Sequence, residues 1–357
     1  MSEHGEFQAV PACAGAPRVG APPAQYVMEL GWSWWASAVV RTAAELKLAD
    51  AIDLTPVTSR ELAERAGADP GALVRLMRAL VGYGIFRLAG PDQYAHTAAS
   101  RALRSDDPSR IAEIMLTGSH WSWSMWDRLS HTIRTGEPGF QAAFGKDLVS
   151  YFLADDPVAG EQCHRGYSAQ AEALNGQLVN ALDLGGIRCV VDVGGGRGSL
   201  LRAILMTHPA LTGVLFELEP VLRDADPALR DGPLAERAQL MAGDCQKEIT
   251  VAAELYLFRQ VLHMWDDDQC VAALGGCVAA GKPGARVVLF EQLVSDPPEY
   301  PFDALMDLHM LLVTGGRERS EREYAELFDR AGLTLTAVKS TGTPLRLLEA
   351  VVSKQAS

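Results

Sequence analysis

A chain of 357 residues is longer than the roughly 100–200 residues of one compact domain, so two domains are expected. With 48% hydrophobic and 22% charged residues it has the composition of a globular protein rather than a disordered one. Its formal charge of −13 argues against nucleic acid or an anionic membrane as partner, since both need clustered Lys and Arg, and no apolar run reaches the ~20 residues of a membrane span.

The opening MSEHGEF is polar and acidic with no apolar stretch behind it, so no secretory signal is expected. Residues 1–24, rich in Ala, Gly and Pro without apolar periodicity, predict a flexible tail. From about Met28, MELGWSWWASAVVRTAAEL spaces its apolar residues three and four apart and predicts helix. Thr58, with Glu61 three positions on, forms a capping box for a short helix that Gly67 ends. Asp69 and Pro70 then open ALVRLMRALVGYG, which runs into IFRL and a turn at Gly90-Pro91-Asp92. Residues 25–110 therefore read as a mainly helical winged-helix domain. A DNA-reading helix offers polar and basic side chains to base edges. This one sets Arg75 and Arg78 among Leu73, Val74, Leu76, Met77, Leu80 and Val81, so it seeks a protein partner, and a homodimer is expected.

Residues 111–180 predict connecting helices with an aromatic cluster of Trp121, Trp123, Trp126, Phe140, Phe144, Tyr151 and Phe152. Such rings build core or line an aromatic pocket. Over residues 181–357 the short runs CVVDV, GVLFE, AQLMA, LYLF and RVVLFE alternate with helical stretches. That alternation predicts an α/β, Rossmann-like domain with a mostly parallel sheet. TLTAVKS and LRLLEAVVSK, separated only by a turn, predict an antiparallel hairpin closing its edge.

The strand CVVDV feeds directly into Gly194-Gly195-Gly196-Arg197-Gly198 and a helix, a loop whose glycines let backbone approach a ligand closely. Glu217, ending the second strand, can accept hydrogen bonds from two ribose hydroxyls, a feature shared with dinucleotide enzymes. Three details separate this site from those enzymes. The glycines are spaced G-x-G-x-G, Asp192 precedes the first of them by two residues, and Asp244 ends the third strand where an adenine amino group would lie.

The stretches VVDVGGGRGSL, LFELEPV, GDC, YLFRQVLHMWDDD, VVLFEQ and MDLHMLLVTGGRERSEREYAELFDRAGL resemble the small-molecule S-adenosylmethionine-dependent O-methyltransferases, typified by plant caffeic-acid enzymes and bacterial antibiotic and phenazine tailoring enzymes. The resemblance runs from about residue 28 to the end. It implies a class I methyltransferase domain preceded by a dimerisation domain. It also implies S-adenosylmethionine as cofactor, held by Asp192, Gly194, Gly196, Gly198, Glu217, Asp244, Cys245, Arg259 and Trp265. Arg259 stands where the family usually has Lys, and Cys245 where it has Phe or Met. An acceptor pocket would draw on Trp121, Trp126, Tyr167, Met306 and Met310, with Tyr167 in place of a common Met.

A methyl group on a sulfonium is already activated, so the protein must align an acceptor hydroxyl and remove its proton. His263, at the carboxyl end of the strand LYLF, is the candidate base. Its ordinary pKa lies about 3.5 units below a phenol's, about 5 kcal/mol if the proton moves first. A carboxylate should therefore stabilise the imidazolium, and the resemblance supplies Glu291 and Glu318 for that role. The bland alternatives are a structural loop histidine at 263, a capping or surface acid at 291 and a solvated charge at 318. Met264 replaces the Asp that commonly follows the family's histidine.

The remaining side chains suggest no metal, for His120 and His131 stand eleven residues apart without an H-x-x-x-H pair. Cys13, Cys163, Cys189, Cys245, Cys270 and Cys277 show neither C-x-x-C nor zinc spacing and are expected to be reduced thiols in a cytoplasmic protein. The expected reaction is O-methylation of a small aromatic metabolite. Its rivals are N- or C-methylation or non-methylating chemistry on the same fold, and a winged-helix ligand-sensing regulator.

Overall fold

A computed structural model describes residues 22–118, 120–295, 297–298 and 300–352. The tail expected over residues 1–24 lies mostly outside them, as does Cys13, and helix already starts at Pro23. The chain divides into two compact units, Met1–Gly118 and Ser119–Ser357.

In the first unit the apolar pattern after Met28 folds as two helices rather than one, α1 (Pro23–Gly31) and α2 (Trp34–Glu45), broken just after Gly31. Then follow β1 (Val57–Thr58), α3 (Ser59–Ala66), α4 (Pro70–Gly82), β2 (Phe86–Gly90), β3 (Gln93–His96), α5 (Ala98–Ala102) and α6 (Ile111–Thr117). The capping box forms: the Thr58 hydroxyl accepts the Glu61 amide at 3.2 Å while the Glu61 carboxylate accepts the Thr58 amide at 2.8 Å. Gly67 closes α3 in the left-handed conformation, and the Asp69 carboxylate caps α4. The wing turns at Asp92, and β1, too short to show as a strand in the sequence, completes a sheet of order β1-β3-β2.

Leu62, Leu73, Met77, Leu80 and Phe86 fill this unit's core, and Ile111 and Met115 of α6 pack against it. That packing places α6 in the first unit, eight residues past the boundary expected at 110. On α1 and α2, Val27, Met28, Leu30, Trp32, Trp34 and Trp35 remain exposed, with Trp32 stacked on Trp35 at 5.2 Å.

The second unit begins with α7 (His120–Trp126), α8 (Leu129–Thr135), α9 (Gly139–Phe144), α10 (Leu148–Ala154) and the long α11 (Pro157–Ala181). These connecting helices share one compact body with the sheet. The sheet alternates with its helices as β4 (Cys189–Val193), α12 (Ser199–Thr207), β5 (Thr212–Glu217), α13 (Glu219–Leu222), α14 (Pro227–Arg230), β6 (Ala238–Ala242), β7 (Leu255–Arg259), α15 (Asp267–Ala280) and β8 (Arg286–Glu291). After α16 (Pro301–Val313) and α17 (Glu321–Arg330) come β9 (Leu333–Ser340) and β10 (Arg346–Val352).

Strand order is β6-β5-β4-β7-β8-β10-β9, with β4 to β8 parallel and β10 antiparallel to both β8 and β9. The expected hairpin thus closes the edge by inserting its second strand against β8. Parallel strands buried on both faces need apolar residues throughout. Val190, Leu215 and Leu257 accordingly pack on one face, and Val191, Phe216 and Phe258 on the other. The order reverses between β4 and β7, and the crevice outside the carboxyl ends at that point is where such sheets bind ligands.

Candidate active site

Three glycines in the loop after β4 adopt positive φ: Gly194 at 66°, Gly196 at 59° and Gly198 at 85°. Gly195 is required for a different reason, since a Cβ there would overlap the Asp192 carboxyl group. The loop is tied down by Gly194 N–H donating to Phe216 O and by Gly196 N–H donating to Glu217 Oε2 at 3.0 Å. Glu217 Oε1 accepts the Leu218 amide at 2.7 Å, and burial raises its pKa. Each of its oxygens keeps a second lone pair for a ribose hydroxyl.

Asp192 is fully buried, and among the described residues neither carboxylate oxygen has a close hydrogen-bond partner, although the Leu201 amide favours its charged form. Burial pushes its pKa up to about 6, against the pull of the Arg259 guanidinium. A buried carboxylate with both oxygens open is costly unless a ligand donor or ordered water completes it. The glycine cradle, the open lone pairs of Glu217 and this orphaned acid therefore fit a nucleoside with an amino-acid tail.

The other expected cofactor residues spread out. Asp244 accepts the Gln246 amide and pairs with Lys247 at 3.0 Å. Cys245 belongs to the sheet's core, its thiol pushed up to about 12 by burial. Arg259 reaches across to α11 and donates to Asn175 Oδ1 at 2.7 Å, while its charge partly offsets Asp192. Half-buried Trp265 packs against the core.

The catalytic candidates converge. His263 lies on a single 3-10 turn, Leu262–Met264, after β7. Glu291 ends β8, and Glu318 sits between α16 and α17. His263 Nδ1 is 2.9 Å from Glu318 Oε1 and 3.8 Å from Glu291 Oε2. All three residues are buried, so the surface or solvated readings of both acids fail. Glu291 Oε1 accepts the amides of Val261 at 3.1 Å and Leu262 at 3.0 Å, which fixes the turn to the sheet. Burial pushes the His263 imidazole down, but Glu291 and Glu318 outweigh it and its pKa ends above the ordinary value. Nδ1 is engaged by Glu318, and the Gln260 carbonyl also lies close enough to the ring to favour its protonated form.

Several supports of this turn gave no sequence signal. Arg319 reads as one charge in the run Arg317-Glu318-Arg319, yet it is fully buried. It donates to Leu262 O at 3.1 Å, Trp265 O at 2.8 Å and Asp267 Oδ1 at 2.8 Å. Asp307 of α16 accepts the Glu318 amide at 2.9 Å, and Arg317 N–H donates to His263 O at 2.9 Å.

On the acceptor side, Trp121 is a correction. It is 2% exposed, wedged between Phe140 and Phe152, and belongs to the core of the connecting helices. Met310 is buried too, while Trp126 and Met306 keep partial exposure. Tyr167 retains 48% of its surface, yet burial pushes its phenol far above the ordinary value. His309 on α16 stacks on Trp126 with ring centroids 6.2 Å apart and feels the charge of His263.

Residues 28–106 match the model of the O-methyltransferase dimerisation domain and residues 126–334 that of the O-methyltransferase domain. The mitomycin biosynthesis 6-O-methyltransferase of Streptomyces lavendulae is 35% identical over 88% of this chain and 90% of its own length. The chain belongs to the O-methyltransferase family. A solved family member, the O-methyltransferase NcsB1 from neocarzinostatin biosynthesis, holds S-adenosylmethionine and 2-hydroxy-5-methyl naphthoic acid; it aligns with TM-score 0.75 and 32% identity over 89% of this chain and 96% of that one. Phenazine-1-carboxylate N-methyltransferase of Pseudomonas aeruginosa is 32% identical over 88% of this chain and 93% of the relative, so nitrogen acceptors also occur among its relatives.

Family membership makes the Glu217 contact testable. Glu217→Ala is expected to weaken S-adenosylhomocysteine binding by about 10- to 100-fold, the worth of charged hydrogen bonds of about 1.5–3 kcal/mol. Calorimetric titration checks this, and an unchanged affinity would remove Glu217 from the site.

Proposed function

We propose that this chain is a metal-independent S-adenosylmethionine-dependent O-methyltransferase acting on a hydroxyl of a small aromatic metabolite. The observation that carries the reading is the buried His263–Glu318 pair, with Nδ1 engaged, beside a glycine-lined crevice. When bound, the cofactor supplies a methyl group activated on sulfonium sulfur. The protein's residues position the acceptor and take its proton. Glu318 accepts from Nδ1–H, fixing the tautomer that leaves the Nε2 lone pair available to the acceptor hydroxyl. As the proton arrives on Nε2, the Glu318 carboxylate at Nδ1 stabilises the imidazolium.

Trp126, His309, Met306 and Tyr167 supply a largely aromatic, weakly polar wall suited to a flat acceptor. Asp192, Gly194, Gly196, Gly198, Glu217, Asp244 and Trp265 are assigned to the cofactor. Cys245 acts from the core behind the adenine, and Arg259 through Asp192. The exposed apolar side chains of α1 and α2, within the dimerisation domain, support a homodimer as the working unit.

Label transfer from methyl-labelled S-adenosylmethionine to a panel of phenols, naphthols, hydroxyquinones and aromatic amines tests the reading. Methoxy products are expected, and N-methyl products alone would favour the nitrogen-acceptor reading that the Pseudomonas relative raises. The donor atoms of His263, Glu291 and Glu318 lie within 4.8 Å of one another, close enough to share a cation. Turnover is nonetheless expected to survive exhaustive treatment with EDTA, because Nδ1 and Glu318 already satisfy each other. Loss restored by a divalent ion would overturn metal independence.

A further inference from the structure

Resting on the base assignment above, His263 must be a neutral imidazole when the acceptor arrives, since a cation cannot take its proton. The surroundings oppose this. Both Glu318 Oε1 and Glu291 Oε2 face Nδ1, and all three side chains are buried. Two full negative charges against one ring nitrogen would hold the imidazole protonated and inert. Yet Nδ1 has one hydrogen to give, and Glu318 lies at hydrogen-bonding distance while Glu291 Oε2 at 3.8 Å does not. Among the described residues, buried Glu291 Oε2 has no hydrogen-bond partner, and neither has Glu318 Oε2.

Among the described residues, no positive charge other than His263 favours the Glu291 carboxylate. From α17, Tyr324 has a buried, unpartnered hydroxyl whose pKa burial pushes well up, with Glu291 and Glu318 adding to the rise. From α15, burial pushes the Cys270 thiol up to about 12. On α16, Asp307 bonds the Glu318 amide, and burial and His263 both lower the pKa of His309. Arg319 directs its guanidinium at Leu262 O, Trp265 O and Asp267, and Arg317 pairs with Glu323.

We propose that in the resting protein Glu291 carries a proton on Oε2 and Glu318 is the only ionised carboxylate of the cluster, so that His263 waits as a neutral imidazole with hydrogen on Nδ1 and a free lone pair on Nε2. The protonated carboxyl keeps both backbone amide bonds on Oε1 and removes a full charge from a buried oxygen that no donor among the described residues stabilises. Burial, the largest influence on Glu291, pushes its pKa up to about 7; Glu318 adds to the rise and His263 opposes it. During turnover the acceptor's O–H bond breaks, its electron pair stays on oxygen, and a new N–H bond forms at Nε2. The buried cluster then passes from one net negative charge to none, rather than from two to one. Glu291 is thus a positioning residue that acts through the protonation state of His263.

Difference infrared spectra of the protein saturated with S-adenosylhomocysteine at neutral pH test this. A protonated-carboxyl stretch is expected that Glu291→Gln abolishes and Glu318→Gln leaves in place. In ¹⁵N NMR titrations of the same complex, His263 should titrate at the same pH in wild type and Glu291→Gln, and about one unit or more lower in Glu318→Gln, where a carboxylate is lost. A missing band, a band that follows Glu318, or a His263 midpoint lowered by Glu291→Gln would each overturn the proposal. Should Gln at 291 not fold, carbon-13 labelling of glutamate in the wild type, with survival of the band in Glu318→Gln, decides the same point. Failure of the base assignment itself would show separately, as undiminished turnover in His263→Ala.

Discussion

Replacing His263 with Ala is expected to lower methyl transfer by about 100-fold or more, the usual worth of a positioned general base. The prediction is sharp because the imidazole is placed for one task. Its Nδ1 is fixed by Glu318 at 2.9 Å, and its turn is held to the sheet through Glu291 and to the loop behind it through Arg319. Affinity for S-adenosylhomocysteine should stay unchanged, since the glycine loop and Glu217 lie on different strands' ends from the turn that carries His263. The pH dependence follows from the charge on the ring. Burial pushes the His263 pKa down, but the surrounding acceptors, Glu318 at Nδ1 among them, hold it above the ordinary histidine value. The rate should therefore be low where the ring is protonated and climb with pH through a midpoint above about 6.5. The variant should lose that rise. Full activity in His263→Ala, with the rise intact, would move the base elsewhere.

The sequence exposes some of this architecture and hides the rest for physical reasons. Strands buried on both faces leave unbroken apolar runs, and caps such as Thr58–Glu61 and Asp69–Pro70 are local chemistry, so both are legible. Glycines of the loop after β4 announce a close approach, and the acids at 192, 217 and 291 end strands at the edge where ligands bind. Pairing across the fold is not local. Nothing in GGRERS distinguishes exposed Arg317 from buried Arg319, because their difference arises only when the loop meets the His263 turn. Trp121 and Trp126 look alike in HWSWSMW, yet a few residues' rotation around α7 sends one to the core and the other to His309. The boundary after α6 was hidden for the same reason, since Ile111 and Met115 find their partners in an earlier helix layer.

Arg319→Ala is expected to produce the largest loss of stability of any single change near the site, about 3–5 kcal/mol, as when one partner of a buried charged network is removed. The Asp267 contact is the smaller part, because that carboxylate is 46% exposed and screened by solvent. The larger part is the pair of carbonyls at Leu262 and Trp265, which would be left with only the weak Cys270 thiol as donor, at about 1–3 kcal/mol each. In a unit of this size such a loss lowers the unfolding midpoint by roughly 2–4 °C per kcal/mol. Arg319→Lys should recover only part of it, since an ammonium cannot present the planar fork that reaches two carbonyls and a carboxylate together. Arg317→Ala is the control two residues away. Its guanidinium is half-exposed and pairs with Glu323 at the surface, where ion pairs contribute about 0–1 kcal/mol. Thermal and urea unfolding of the three variants would rank them Arg319→Ala, Arg319→Lys, Arg317→Ala in order of decreasing damage. Equal midpoints for Arg319→Ala and Arg317→Ala would mean that the turn bearing His263 is held by the sheet, through Glu291 and the amides of Val261 and Leu262, and not by the loop behind it.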